Sequence, residues 1–330
     1  MQKEIMEINR QLEEIRAALA GKEFDSLFFT GCGGGLQYTE PSRYAAAAQS
    51  KRLRVYGMPA AELMAMDPAC LGERSIVIVS SLNGVMPEAV QALRWANEKG
   101  AFTIGTTAFP GTPVDRESKT SLIYQEARGA HPYTQMYGIT LLITFTILDV
   151  LEGNRTIGRL PGQMERLDAL CAKAGEVYGG EKLDEFIARF ASKNMIYVVG
   201  SGPNYANAYY LATCYLLEIQ WMDASPINSA EFFHGCLEIA DRYSNFVMLV
   251  GVGASRKMDE RARDFIDRFC DGMFVVDAAD YDLSAIDDDL KPYIAQIITH
   301  YLIASVFMPR LAEARHHSLD RRRYYGKMEY

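Results

Sequence analysis

Met195-Ile196-Tyr197-Val198-Val199 is an apolar run that turns into the glycine loop Gly200-Ser201-Gly202-Pro203. The same design stands 169 residues earlier, where Phe24-Asp25-Ser26-Leu27-Phe28-Phe29-Thr30 ends at Gly31-Cys32-Gly33-Gly34-Gly35. Two further pairs follow in step. Ser75-Ile76-Val77-Ile78-Val79-Ser80-Ser81 runs into Leu82-Asn83-Gly84, and residues 245–251 run into Val252-Gly253-Ala254-Ser255 at an offset of 170. Phe102-Thr103-Ile104-Gly105 and Met273-Phe274-Val275-Val276 lie 171 apart. Three strand-like runs in one order at nearly one offset mark a duplicated domain. Residues 44–49, 88–99 and 259–269 read as helices between the runs. Buried strands alternating with helices predict an α/β fold, with a parallel sheet and helices on both faces in each half.

A chain of 330 residues fits two domains. The predicted division is a first domain with its leading helix at 1–155, a linker with a helix at 156–182, and a second domain with a C-terminal tail at 183–330. Hydrophobic residues at 49%, charged residues at 23% and a net charge of −8 are ordinary for a globular protein and argue against nucleic acid as a partner. Arg321-Arg322-Arg323 is a local exception, read as an anion or carboxylate contact. The six cysteines are spread without a CxxC pair, which points to a reducing compartment and away from a zinc site. The charged, helix-periodic N-terminus does not read as a signal peptide, and apolar stretches such as 139–151 are too short to span a bilayer. A cytoplasmic protein with no membrane partner is expected.

In such sheets ligands sit beyond the carboxyl ends of the strands, which makes the loops at 31–36, 80–86, 200–205 and 251–256 candidate sites. Glycine loops bring backbone N–H groups to an anion. Neither dinucleotide nor P-loop fingerprint is present: Leu36 stands where a third glycine is needed. Glu218 lies in the apolar helical run 209–219, where a carboxylate must be paired or used, and burial would suit it to act as a base. Sixteen residues on, His234 in a loop-like segment is the matching acid. The same pair reads equally as a helix-bridging glutamate and a core histidine. Met258 with residues 259–263 reads as a solvated helix face, and Asp287-Asp288-Asp289 as a helix start rather than a metal site. His300 and His316 read as structural or surface residues.

The segment E-x(12)-E-[FL]-x-H-G, here Glu218, Glu231 and His234-Gly235, resembles the sugar isomerase (SIS) proteins, namely the fructosamine 6-phosphate deglycases and the isomerase half of glucosamine-6-phosphate synthase. The tail Asp320-Arg321-Arg322-Arg323-Tyr324-Tyr325-Gly326-Lys327-Met328-Glu329-Tyr330 looks like that of the deglycases. The resemblance covers nearly the whole chain. It implies two tandem SIS domains, each a flavodoxin-like parallel sheet flanked by helices. It also implies cleavage of a fructosamine 6-phosphate to a hexose 6-phosphate and a free amine, with Glu218 and His234 catalytic. No cofactor or metal is implied. A homodimer with shared sites is, the His234 loop entering the partner's site. Substrate contacts fall on Cys32, Gly33, Gly34, Ser80, Ser81, Asn83, His131, Gly202, Asn204, Glu231, His317, Arg323 and Tyr325, with the tail ordered near the site.

The loops depart from the family pattern. Gly34 and Gly35 replace hydroxyl residues after Cys-Gly, Asn83 and Met86 replace hydroxyls in S-x-S-G-x-T, and Cys236 replaces proline after His-Gly. An aldose–ketose or amino-sugar phosphate isomerase and a non-catalytic sugar-phosphate binder remain alternatives, although residues 1–23 are too short for the helix-turn-helix such sensors carry.

Overall fold

A computed structural model describes residues 2–125, 133 and 135–328. The chain forms two compact units, Met1–Arg166 and Leu167–Tyr330. The first holds five strands, β1 (Ser26–Gly31), β2 (Arg54–Pro59), β3 (Ser75–Ser80), β4 (Phe102–Thr107) and β5 (Thr120–Ile123). All pair in parallel, in the order β2-β1-β3-β4-β5. The second holds β6 (Met195–Gly200), β7 (Asp223–Asn228), β8 (Asn245–Val250) and β9 (Gly272–Asp277), in the order β7-β6-β8-β9. These are the same flavodoxin-like order, the second lacking the last strand. The repeat extends to β2 and β7, which begin 169 residues apart at Arg54 and Asp223.

The two sheets are built alike. In the first unit Phe28, Val77 and Val79 share one core with Ala89, Leu93 and Ala96 of the helix Pro87–Glu98. In the second, Val199, Phe246, Met248 and Val250 pack with Ala262 and Ile266 of the helix Arg256–Phe269 and with Phe232 from the loop after β7. Each large apolar side chain so buried contributes roughly 1.5–3 kcal/mol. Between the sheets, the expected single helix at 162–175 is two, Leu160–Met164 and Leu167–Tyr178, followed by Glu181–Phe190.

Lys291–Ala314 is a 24-residue helical stretch apolar enough, by length and composition, to cross a bilayer, but 67% of its most apolar window is buried within the chain. A core helix has that character.

In both sheets the strand order reverses at the central pair, β1 with β3 and β6 with β8. At such a switch point the loops leave in opposite directions and open a crevice at the carboxyl ends. The four candidate loops sit at these two places.

Candidate active site

Glu218 stands near the end of a π-helix, Tyr210–Gln220, that continues the α-helix Tyr205–Tyr209. The wider winding shows at its close, where the N–H of Trp221 bonds the carbonyl of Leu216, five residues back. π-segments are rare and gather at functional sites. The burial expected for Glu218 is not found. Its side chain is 40% exposed, because the last turn of the helix reaches the surface, and Arg322 Nε donates to its Oε1 at 2.9 Å. Among the described residues its Oε2 has no partner. One turn back, the buried thiol of Cys214 is pushed up to about 12 by burial and, secondarily, by the charge of Glu218, with Arg322 opposing.

The tail is described through Met328 and lies against this helix end. Arg323 and Arg321 set their guanidinium carbons 4.2 and 5.0 Å from the centre of the Trp221 ring. His317 meets the same ring edge-on at 4.6 Å. Gln220 Nε2 donates to the carbonyl of His317 at 2.9 Å, which fixes the chain as it leaves the last helix. The His317 imidazole is held below its ordinary range by burial, then by the charges of Arg321 and Arg315. Tyr325 is 43% exposed. Of the residues singled out from the sequence, Glu218, His317 and Arg323 therefore share one corner. Trp221 and Arg322, to which no separate role was assigned, join them there.

His234 lies on an exposed turn that opens beyond β7. The carbonyl of Asn228 accepts from the N–H of Glu231, and the carbonyl of Glu231 accepts from the N–H of His234, both at 2.9 Å. Two anchors hold the turn. Phe232 is fully buried and meets Phe265 and Phe246 at 5.8 and 6.2 Å. Ser229 Oγ donates to Asp259 Oδ1 at 2.6 Å. Glu231 and His234 are both exposed, and among the described residues no hydrogen bond or ion pair joins either to Glu218.

Asp259 overturns the solvated-face reading of residues 259–263. It is fully buried, and it accepts from Ser201 Oγ at 2.6 Å and from the Gly251 N–H at 3.0 Å as well as from Ser229. One carboxylate thus ties the chain ends after β6, β7 and β8. Burial pushes it up, against these bonds and the charge of Arg256. The signal was present in the sequence: Asp259, Ala262 and Ile266 are the buried residues of an amphipathic helix, on one stripe at i, i+3 and i+7.

The rest of this switch point is filled by the protein itself. Asn204 is buried and donates to the Leu249 carbonyl at 3.3 Å while accepting from Asn207 at 2.9 Å. Gly202 takes a left-handed φ of 56° at the turn. Arg256 bonds the Gly251 carbonyl at 3.0 Å and forks onto Asp277 at 2.7 and 2.9 Å.

In the first unit the two loops press on each other. A Cβ on Gly31 would lie 2.5 Å from the Ser80 carbonyl oxygen and one on Gly35 2.8 Å from it, so neither position admits a side chain without a shift. That packing is a physical reason for glycine at 35. Gly33 has φ 50° and open space around it, and Gly34 begins a single helical turn. Ser80 is buried with its hydroxyl on Met136 Sδ at 3.3 Å, Ser81 is buried, and Asn83 is exposed between Leu82 and Gly84. The half-buried Cys32 thiol is pushed up by burial and by the charge of Glu88, with a bond from the Ala89 N–H opposing. His131 lies outside the described residues.

No family model matches the chain. Among curated proteins it is 35% identical to the fructosamine deglycase FrlB of Bacillus subtilis, over 98% of each chain. It is 27% identical to the fructoselysine 6-phosphate deglycase of Escherichia coli, over 92% of this chain and 86% of that one. A solved structure from Bacillus subtilis, described as a phosphosugar isomerase, matches with a TM-score of 0.95 and 34% identity over 100% of both chains.

Proposed function

We infer the activity from one premise: the chain belongs to the family of the fructosamine deglycases, whose members are enzymes. We propose that it cleaves a fructosamine 6-phosphate to a hexose 6-phosphate and a free amine or amino acid. The observation that carries the proposal is Glu218, held at the helix end by one oxygen on Arg322, with the other oxygen open to a substrate.

The chemistry needs one mobile proton and one water. An open-chain fructosamine has a ketone at C2 and an amine on C1, so the C1 protons are acidified by the carbonyl. Glu218 Oε2 takes one of them, the C1–C2 bond becomes double, and the ketone oxygen is protonated to give the enolamine. Return of the proton to C2 moves the double bond to C1–N. Water then adds to C1 of this imine and the C1–N bond breaks, leaving an aldose and an amine. His234 opens the sugar ring beforehand by general acid–base transfer. A positioned acid–base group of this kind contributes about 10²–10⁴-fold.

The exposed His234 turn supports a cytoplasmic homodimer in which that turn completes the neighbouring subunit's site. In the first unit, the backbone amides of the 80–86 loop with Ser81 and Asn83 are the groups proposed to meet the phosphate. Replacement Glu218→Gln keeps shape and removes the base. It should lower kcat at least 100-fold on fructoselysine 6-phosphate; a loss under tenfold would contradict the assignment.

A further inference from the structure

Two guanidinium groups share one indole ring. Arg323 and Arg321 lie 4.2 and 5.0 Å from the centre of Trp221, and both are exposed. Among the described residues neither guanidinium has an ion-pair or hydrogen-bond partner. The acid of this corner is already engaged, since Glu218 bonds Arg322. Like charges gathered on one ring repel, and their field is felt locally: Arg321, Arg315 and Arg323 all help hold the His317 imidazole in its neutral form.

The ring itself is held at a conformational penalty. Trp221 has φ 55° and ψ 40°, the left-handed conformation that helix ends usually give to glycine. Bulky residues rarely adopt it, and strain of this kind collects at functional positions. Trp221 is the platform on which both cations rest.

We infer that Arg321 and Arg323, seated on Trp221, form the subsite for a carboxylate on the amine half of the substrate. The substrates would then be adducts of amino acids rather than of simple amines. This rests on the deglycase reading, with Glu218 acting at C1. The amine is attached to C1, and an α-amino acid places its carboxylate two atoms beyond that nitrogen. The phosphate on C6 lies at the far end of the sugar. Planar guanidinium groups match a carboxylate through paired hydrogen bonds, and the indole face holds them in place without neutralising them.

The test compares four substrates: the glycine and glycinamide adducts of fructose, each with and without a 6-phosphate. They are cleaved by the full-length protein and by Arg321→Gln, Arg323→Gln and the double variant. In the unaltered protein kcat/KM should be at least tenfold higher for glycine than for glycinamide, whichever state C6 is in. Each single change should reduce that ratio, and the double change should bring it within about twofold of one. Equal use of acid and amide by the unaltered protein overturns the inference. So does a double variant that loses preference for the phosphate while keeping preference for the acid, because the arginines would then read the phosphate. If no adduct is cleaved, the deglycase reading fails and a binding measurement decides this inference separately. In a Trp95→Phe background, N-acetylglycine should change Trp221 fluorescence, its amide should not, and the double variant should abolish the response. No response to N-acetylglycine overturns the inference.

Discussion

Arg322 Nε donates to Glu218 Oε1 at 2.9 Å, joining the C-terminal tail to a helix 104 residues earlier in the chain. The pair is partly exposed, at 24% and 40%, so it contributes no more than about 1 kcal/mol to folding. Its consequence is for orientation. Arg322→Gln should therefore leave the melting temperature within about 2 °C while lowering kcat about tenfold, because an unfixed carboxylate no longer meets C1 in one geometry. Unchanged kcat would separate the tail from the chemistry.

Glu218 and His234 make no contact within the chain, and the His234 turn is exposed. A shared dimeric site predicts rescue between dead variants. Glu218→Gln and His234→Asn proteins, each inactive alone, should recover about a quarter of normal activity when unfolded together and refolded at equal amounts. Half of the dimers are then mixed, and each has one intact site. If both residues act within one subunit, no activity returns.

The loop after β3 offers few hydroxyls. Ser80 is committed to Met136, and Leu82 and Val85 are 37% and 55% exposed where polar groups would serve a phosphate. Restoring hydroxyls with Asn83→Ser and Met86→Thr together should raise kcat/KM on the phosphorylated substrate about tenfold, at roughly 1 kcal/mol net per neutral hydrogen bond. Little change on the unphosphorylated form should accompany it. Equal gains on both forms would mean the loop does not read the phosphate. By contrast, Gly35→Ser should destabilise the fold by about 1–3 kcal/mol, since its Cβ would meet the Ser80 carbonyl.

Asp259 holds three chain ends with one carboxylate. Asp259→Ala leaves two hydroxyls and the Gly251 N–H without their acceptor and should cost about 3 kcal/mol or more in urea unfolding. A change under about 0.5 kcal/mol would remove Asp259 as the tie. Its pH signature has a definite sign. Burial raises its folded pKa, so between the ordinary carboxylate range and that raised value the folded chain holds more protons than the unfolded one. The contribution of this group to stability therefore falls as pH rises through that window. Asp259→Asn has no such slope, and its deficit relative to the unaltered protein should shrink as pH rises through the window. A deficit that grows with pH would contradict the shift.

The sequence shows the fold more clearly than the site. β1, β3, β4, β6, β8 and β9 stand out as apolar runs because their neighbours bury them. The strands that escape notice, β2, β5 and β7, all lie at sheet edges. Arg54–Pro59 alternates between exposed and half-buried residues, and Asp223–Asn228 carries Pro226, so both read as loops. Glu218 was misjudged for a related reason. Leu216, Leu217 and Ile219 surround it with apolar residues on all sides, and a π-helix has no 3.6-residue stripe to tell which of them face water. Leu217 proves to be 40% exposed. Asp259 was legible from its helical spacing but was masked by the charges around it. The Arg322 bond to Glu218 was not legible at all, since only folding brings together residues so far apart in sequence.

The most direct measurement is the product assay. Purified protein would be incubated with fructoselysine 6-phosphate and with fructoselysine, and hexose 6-phosphate, hexose and lysine measured together. The account predicts glucose 6-phosphate and lysine in equal amounts from the phosphorylated substrate, abolished by Glu218→Gln. No lysine from either substrate, or release that survives the loss of Glu218, would contradict it.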